Sequence, residues 1–208
     1  MTGGMAVDKK HLTDQLKIFA DKYNLCADEE TLGALIDLSS FRVLPKGKLL
    51  SSIGDDTAIA GMVLSGMVRS YYVDEEGNDI TRGFSPAGAL CMDEGLFGFN
   101  ERMCMWETLE ETTLMLCEVV KIKELIRDNV RFKDIWITLL ENALRYKMYR
   151  ENGFLVENAT ERYLHFRKLY PELSGRIPLK HIATYLGIAP ESLSRIRSAL
   201  KEENKHEQ

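Results

Sequence analysis

The sequence predicts an α+β protein in which a set of short strands is followed by a long helix and then by a pair of short helices. Three features of the 208-residue chain support this prediction. Short apolar runs between turn residues fill positions 41–120, an apolar stripe recurs at helical spacing from about residue 131, and two helical segments meet at a tight turn within 177–200. Evenly spaced short strands are typical of an antiparallel barrel or a jelly roll (double-stranded β-helix).

The residues before the strands predict packing helices, and the strands themselves are separated by turn residues. Apolar residues recur at helical spacing over 9–38, and the acidic run at 28–30 suits a helix N-terminus, where negative charge is favourable. The turns are expected at Pro45-Lys46-Gly47, Ile53-Gly54-Asp55-Asp56, Asp74–Asn78 and Ser85–Gly88.

A long amphipathic helix is predicted from about Arg131 onward. Its apolar stripe must be buried, either along the barrel of its own chain or against a second copy of the helix. Asn158 or Thr160 is expected to cap the next helix. These elements divide the chain into a barrel with flanking helices (1–120), a connecting helix (121–157) and a helical C-terminal part (158–208). The stripe consists of Ile135, Trp136, Leu139, Leu140, Ala143, Leu144 and Met148.

The segment 177–200 has the pattern of a helix-turn-helix. Leu179 and Ile182 share one helix face, and Gly187 follows, where a left-handed residue can end a helix without a Cβ clash. Pro190 opens the second helix at a position where its missing N–H costs nothing. The second helix of such a motif can enter the major groove of DNA, whereas the alternative is a helical hairpin of purely structural role.

The outer side of the second helix carries the candidate DNA-binding residues. Glu191 and Arg195 are four residues apart and share a face, so they could read bases, although an ordinary ion pair within the helix is the alternative. Glutamate can accept a hydrogen bond from cytosine N4, and arginine can donate two to guanine O6 and N7. The two serines are expected at bases or phosphates, and the other basic residues mostly at phosphates. The candidates are Lys180, Glu191, Ser192, Ser194, Arg195 and Arg197, with Lys201 as a further phosphate contact.

The distribution of charge fits this interpretation better than the total charge does. The whole chain has a net charge of −5, yet residues from 158 onward contain nine Lys and Arg against six Asp and Glu. A basic end on an acidic body is typical of a DNA-binding part attached to another domain. No stretch approaches the roughly 20 apolar residues that span a bilayer, and no apolar signal core begins the chain, so a cytoplasmic protein without membrane contact is expected.

The sequence offers little chemistry for catalysis or metal binding. Positions 41–120 contain no histidine, whereas catalytic metal barrels need several, and no Ser/His/Asp arrangement is evident. We therefore expect neither an enzyme nor a bound cofactor or metal. The cysteines lack zinc-ligand spacing and are expected to be buried or incidental thiols, with a redox role as the alternative. They are Cys26, Cys91, Cys104 and Cys117.

The order of these parts resembles that of the Crp/Fnr family, the cyclic-AMP receptor protein and the Fnr regulators. The most specific similarities are the run Val63–Arg69, the hairpin Asp74–Asn78 before Phe84–Gly88, and the helix-turn-helix pattern at 177–200. The resemblance covers essentially the whole chain. It implies a cyclic-nucleotide-binding-like β-roll, a homodimer paired through the long helix, and recognition helices placed in successive major grooves of a palindromic operator. RNA polymerase and an unknown small-molecule effector are further implied partners.

The ligand cassette departs from the nucleotide-binding pattern of the family. Met92 and Asp93 stand where the family has a Gly-Glu pair for the ribose, and Met103 and Cys104 stand where it has an arginine and a small residue for the cyclic phosphate. Arg102 comes one residue early, and a shift of one residue in a strand points a side chain to the opposite face. The chain therefore resembles a branch lacking the phosphate arginine. These five residues form a candidate effector pocket that should not bind cyclic AMP or cyclic GMP tightly.

Two other classes of protein remain as alternatives. A small-ligand-binding or enzymatic barrel could have a purely structural helical tail. A signalling adaptor could use the same β-roll to bind a protein partner. The dependence of DNA affinity on salt separates both from a transcription regulator, because neutralised phosphates release counterions.

Overall fold

The computed structural model describes residues 8–51, 59–92, 94–99, 103–173 and 175–206. It contains helices and strands in the predicted order. Two helices come first, eight strands follow, and five helices complete the described chain. The helices are α1 (Lys9–Lys22), α2 (Glu29–Asp37), α3 (Val119–Asp128), α4 (Val130–Val156), α5 (Ala159–Leu169), α6 (Leu179–Leu186) and α7 (Pro190–His206). The strands are β1 (Ser40–Leu44), β2 (Leu49–Ser51), β3 (Ile59–Ser65), β4 (Met67–Val73), β5 (Asp79–Pro86), β6 (Leu90–Met92), β7 (Met105–Thr108) and β8 (Thr112–Glu118), with a short 3-10 helix at Glu94–Phe97.

The strands form two antiparallel four-stranded sheets, which confirms the predicted jelly roll. The order is β1-β8-β3-β6 in the first sheet and β2-β7-β4-β5 in the second. Paired residues of neighbouring antiparallel strands share a face, so the two faces of the first sheet can be assigned. Val63 pairs with Leu114 on the inner face, and Met62 pairs with Met115 on the outer face.

The interior of the β-roll is an apolar cluster built from both sheets. Val63 and Leu114 of the first sheet, and Val68 of the second, are fully buried there. Trp106 and Cys104 complete the same cluster. On the outer face of the first sheet, α1 and α2 cover Met62 and Met115 with Leu12, Leu16 and Leu32. The predicted packing role of the N-terminal helices is therefore confirmed.

Turns and caps follow from local side-chain chemistry. Asp74 accepts hydrogen bonds from the backbone N–H groups of Asn78 at 2.8 Å and Glu76 at 3.0 Å, and the Asn78 bond in particular holds the pKa of this carboxyl below its usual value. Asn158, one of the two predicted caps, begins α5 in a reciprocal capping box with Glu161. The turns at 45–47, 74–78 and 85–88 are present, whereas the one expected at Ile53–Asp56 lies outside the described residues.

The chain divides into two compact units. The first comprises Met1–Ser70 and Phe84–Leu144, and the second comprises Tyr71–Gly83 and Arg145–Gln208. The tip of the β4–β5 hairpin thus belongs to the same unit as the C-terminal helices. The boundaries 1–120, 121–157 and 158–208 stay a prediction. None of the helices within the described ranges is long and apolar enough to cross a membrane.

Candidate nucleic-acid interface and effector site

The second unit contains the predicted helix-turn-helix, formed by α6 and α7. The two helices pack through small and branched residues. Ala183 and Leu193 are fully buried and Ile182 is nearly so. Ile182, Ala183 and Leu186 belong to the apolar face that sequence periodicity assigned to α6, and they are buried. His181 and Tyr185, which lie outside that face, are buried as well.

Gly187 makes the turn between α6 and α7. Its φ is +67°, a left-handed conformation that a residue with a side chain adopts only at a cost. The Ile188 N–H donates to the Ala183 carbonyl at 3.0 Å, the bond that closes a Schellman-type helix end. A Cβ atom at Gly187 would lie 3.0 Å from the Phe154 ring. Both conformation and close packing therefore favour glycine here.

Two arginines bind the last carbonyls of α6. Arg150 donates through Nη2 to the Tyr185 carbonyl at 2.9 Å, and Arg162 donates through Nε to the Leu186 carbonyl at 3.1 Å. Positive charge near a helix C-terminus is stabilising, because unpaired carbonyls concentrate there. The Arg150 guanidinium also lies 4.0 Å from the centroid of the Tyr185 ring. These contacts fix α6, and sequence reasoning missed both of them.

The β4–β5 hairpin also packs against α6. The Thr184 hydroxyl donates to the Thr81 hydroxyl at 2.9 Å and accepts from the Thr81 backbone N–H at 3.2 Å. His181 is buried with Nδ1 3.7 Å from an Asp79 carboxylate oxygen. The first helix of the motif is thus held by the hairpin.

A cluster of aromatic side chains joins α5 to α6. Phe166 lies 5.5 Å from Tyr185 and 5.4 Å from Tyr170 between ring centroids. Burial raises the pKa of the Tyr170 and Tyr185 hydroxyls, and the neighbouring Tyr146 phenol adds to the rise. The Tyr146 and Tyr185 hydroxyl oxygens are 3.0 Å apart. The Tyr170 and Tyr185 phenols therefore stay protonated at physiological pH and act as structural hydrogen-bonding groups.

The candidate DNA-binding residues lie on the outer side of the motif. Lys180, Glu191, Ser194 and Arg195 are exposed, and Ser192 and Arg197 are half-buried. Within the described residues Arg195 donates to the Ser192 hydroxyl at 3.3 Å instead of pairing with Glu191. This weak contact leaves the guanidinium able to turn toward another acceptor. The helix face therefore offers one acidic acceptor and several donors to solvent.

The three candidate effector residues that the structure describes lie in different surroundings. Met92 lies on the outer face of the first sheet, paired with Ala60, whereas Cys104 is fully buried inside the β-roll. Met103 is 47% exposed. Asp93 and Arg102 lie outside the described residues. Across the ranges that the structure describes, no group of His, Cys, Asp and Glu could hold a metal ion.

The thiols are expected to differ sharply in reactivity. Burial raises the pKa of Cys91 to about 12 and also raises that of Cys117, whereas Cys26 is exposed. Because the thiolate is the reactive form, one thiol per chain should react with a disulfide reagent at neutral pH, and all four should react after denaturation. Mass spectrometry of the labelled native protein should identify Cys26. Rapid native labelling of Cys91 would contradict the burial described above.

The fold is that of the Crp/Fnr regulators. FixK2 from Bradyrhizobium japonicum superposes with a TM-score of 0.69 at 20% identity, over 80% of this chain and 86% of that one. CLP of Xanthomonas campestris, a c-di-GMP-responsive global regulator, gives 0.67 at 16% identity, over 85% and 93%. A chain from Eubacterium rectale described as a regulator of the crp/fnr family gives 0.67 at 18% identity, over 91% and 88%. The sequence matches no protein-family model and no curated protein. The fold expected from the resemblance is confirmed.

Proposed function

We propose that the protein is a Crp/Fnr-type transcription regulator that binds DNA as a homodimer. The observation that carries this proposal is the outer face of α7. Glu191, Ser194 and Arg195 are exposed there, although the opposite face of the helix reaches full burial at Leu193. An exposed row with an acidic acceptor and a forked cation on a second helix matches the chemistry of base edges in a major groove.

The remaining basic residues have a positioning role in this proposal. Lys180 begins the motif and is exposed, and Arg197 is half-buried on α7. Lysine and arginine contacts to phosphate fix the register of a protein on DNA without reading sequence. The α6 carbonyls are held by Arg150 and Arg162, which keeps these two guanidinium groups within the protein.

The homodimer in the proposal is supported by α4. Val130, Ile137 and Leu144 follow one another at seven-residue spacing and are 75%, 47% and 59% exposed. Apolar residues at this spacing supply one of the two positions per heptad that form the seam of a paired helix. On the opposite side of the same helix, Phe132 is buried within the first unit. These three exposed apolar residues therefore fit a contact with a second copy of the chain. The dimer would bind half-sites one helical turn of DNA apart.

The effector part of the proposal is a β-roll that does not bind cyclic AMP tightly. Met103 and Cys104 provide no cation at the positions that the resemblance aligns with phosphate binding, and Cys104 is fully buried beside Trp106. A cyclic phosphate without a cationic partner is poorly stabilised in a buried site. The same proposal includes a different small molecule as the effector and a contact between the protein and RNA polymerase.

The proposal is tested with DNA fragments selected by the protein from a random pool. Replacing Arg195 by Ala should weaken binding to the selected site by about 1–3 kcal/mol and relax the preference at one base pair of each half-site. Replacing Lys180 by Ala should weaken binding to all sequences similarly. It should also lower the slope of log affinity against log salt concentration by about one unit per protomer. The measurement is fluorescence anisotropy at several salt concentrations.

Lys10→Ala is the matched control for the loss of a positive charge. Lys10 is exposed on α1, far in sequence from the motif, and its loss should leave both affinity and salt slope unchanged. Failure of the wild-type protein to enrich any sequence from the pool would contradict the proposed function. If Arg195→Ala lowered the affinity for all sequences equally, Arg195 would not read a base, but the proposed function would stand.

A further inference from the structure

The first unit contains a cavity outside the β-roll. Its volume is about 130 Å³, and it lies between α1 and α2 on one side and the outer face of the first sheet on the other, with α3 and α4 completing the wall. This is the face opposite to the roll interior. Met92 pairs with Ala60 on the cavity side, whereas its neighbour Cys91 belongs to the interior cluster. The cavity is therefore separate from the candidate effector residue Cys104.

The wall of the cavity is almost entirely apolar. The few polar residues in it have partners within their own surroundings. The Thr31 hydroxyl donates to Asp28 at 2.6 Å, the Ser39 hydroxyl donates to the Leu35 carbonyl at 2.7 Å, and the Cys117 thiol donates to the Leu38 carbonyl at 3.6 Å. An ordered water needs two to four polar partners, and an apolar cavity of about 150 Å³ stays dry and binds benzene. Water is therefore a poor occupant of this space.

The wall combines aromatic rings with methionine sulfur atoms. Phe19 lines the cavity from α1 and Trp136 lines it from α4, while three methionines line it from the sheet. Aromatic rings favour edge-to-face and offset contacts with one another, and thioether sulfur makes favourable contacts with ring edges. An empty space of this kind forfeits dispersion contacts of its lining, which an occupant of matching shape would restore. The three methionines are Met62, Met92 and Met115.

We propose that this cavity is a binding site for a small uncharged aromatic molecule with a single ring. The volume is close to that of the engineered cavity known to hold benzene, so the space suits a single six-membered ring and excludes a fused pair of rings. Among the described residues of the wall, the polar groups already have partners, so a charged or strongly polar molecule would be poorly stabilised there. Binding here does not require DNA, so the site is independent of the proposed regulator function.

The test uses the full chain with ¹³C-labelled methionine methyl groups and toluene as the probe. The nine methionines provide both reporters and internal controls. Toluene should cause saturable ring-current shifts at Met62, Met92 and Met115. Met67, which lies in the buried core outside this cavity wall, and Met148, which is exposed on α4, should not shift. Benzoate, which adds a charge to the same ring, should cause no shifts at equal concentration.

Filling the cavity provides a second test. Ala60 is buried and lies on the cavity wall, so Ala60→Leu should abolish the shifts at Met92 and Met115. Ala199→Leu is the matched control at an exposed position of α7 and should leave them unchanged. Absence of saturable shifts in the wild-type protein would overturn the proposal, whether or not the Ala60 variant folds. Shifts at Met67 with none at Met115, or equal shifts at all methionines, would also overturn it.

Discussion

Replacing Glu107 by Ala should lower the free energy of unfolding by about 3 kcal/mol. The Glu107 carboxylate accepts from Arg69 Nε at 2.8 Å and lies 2.6 Å from Arg69 Nη2. The Arg69 side chain is only 2% exposed, whereas that of Glu107 is 21% exposed. Removal of the carboxylate leaves the guanidinium charge in the core without this ion pair. Solvent reaches the carboxylate side, so the expected loss lies at the lower end of the range for breaking a buried pair, which is about 3–5 kcal/mol. Urea denaturation followed by circular dichroism measures it.

The matched control replaces both charges at once. Arg69→Met combined with Glu107→Leu removes the pair and its desolvation cost together, so the double variant should be within about 1.5 kcal/mol of the wild type. A Glu107→Ala loss below about 1 kcal/mol would be typical of a solvent-exposed pair and would contradict the burial of Arg69. A double variant as unstable as Glu107→Ala would show that packing, and not the charge, dominates.

This ion pair illustrates why part of the core could not be predicted from the sequence. Arg69 belongs to a run that resembles the family, and an arginine in a strand is ordinarily assigned to the solvent face. Its charge is paired with Glu107, which is 38 positions away along the chain and lies in another strand of the second sheet. Side-chain alternation predicts that a residue has an inner or outer position, but it does not predict which distant strand supplies a partner.

Local chemistry, in contrast, was predictable in the helix-turn-helix. The positive φ of Gly187 and the position of Pro190 at the start of α7 follow from the preferences of single residues. The exposed positions of Glu191 and Arg195 follow from helical periodicity alone. The contacts that hold α6 were not predictable, because Thr81 lies 103 residues from Thr184 and Arg150 lies 35 from Tyr185. Their role in DNA binding stays a proposal.

Replacing both Ile137 and Leu144 by Glu should convert the proposed dimer into a monomer and reduce DNA affinity by about 10²–10⁴-fold. These side chains are 47% and 59% exposed in the single chain and lie seven residues apart on one face of α4. Four glutamates in the dimer would meet across the helix pair, where charge repulsion and desolvation both oppose association. A monomer contacts one half-site, so the second binding event loses the effective concentration that the dimer provides. Analytical ultracentrifugation and fluorescence anisotropy measure the two effects.

The control variant also replaces two exposed apolar residues by Glu, but at positions outside α4. Ile18 on α1 and Val120 on α3 are 69% and 66% exposed. Ile18→Glu with Val120→Glu therefore adds the same charge and leaves Ile137 and Leu144 unchanged. This variant should sediment and bind DNA as the wild type does. If both double variants lost DNA affinity equally, the added negative charge would account for the effect, because it repels the phosphate backbone. If the Ile137/Leu144 variant became monomeric and still bound the full palindrome with wild-type affinity, the homodimer would have no role in recognition.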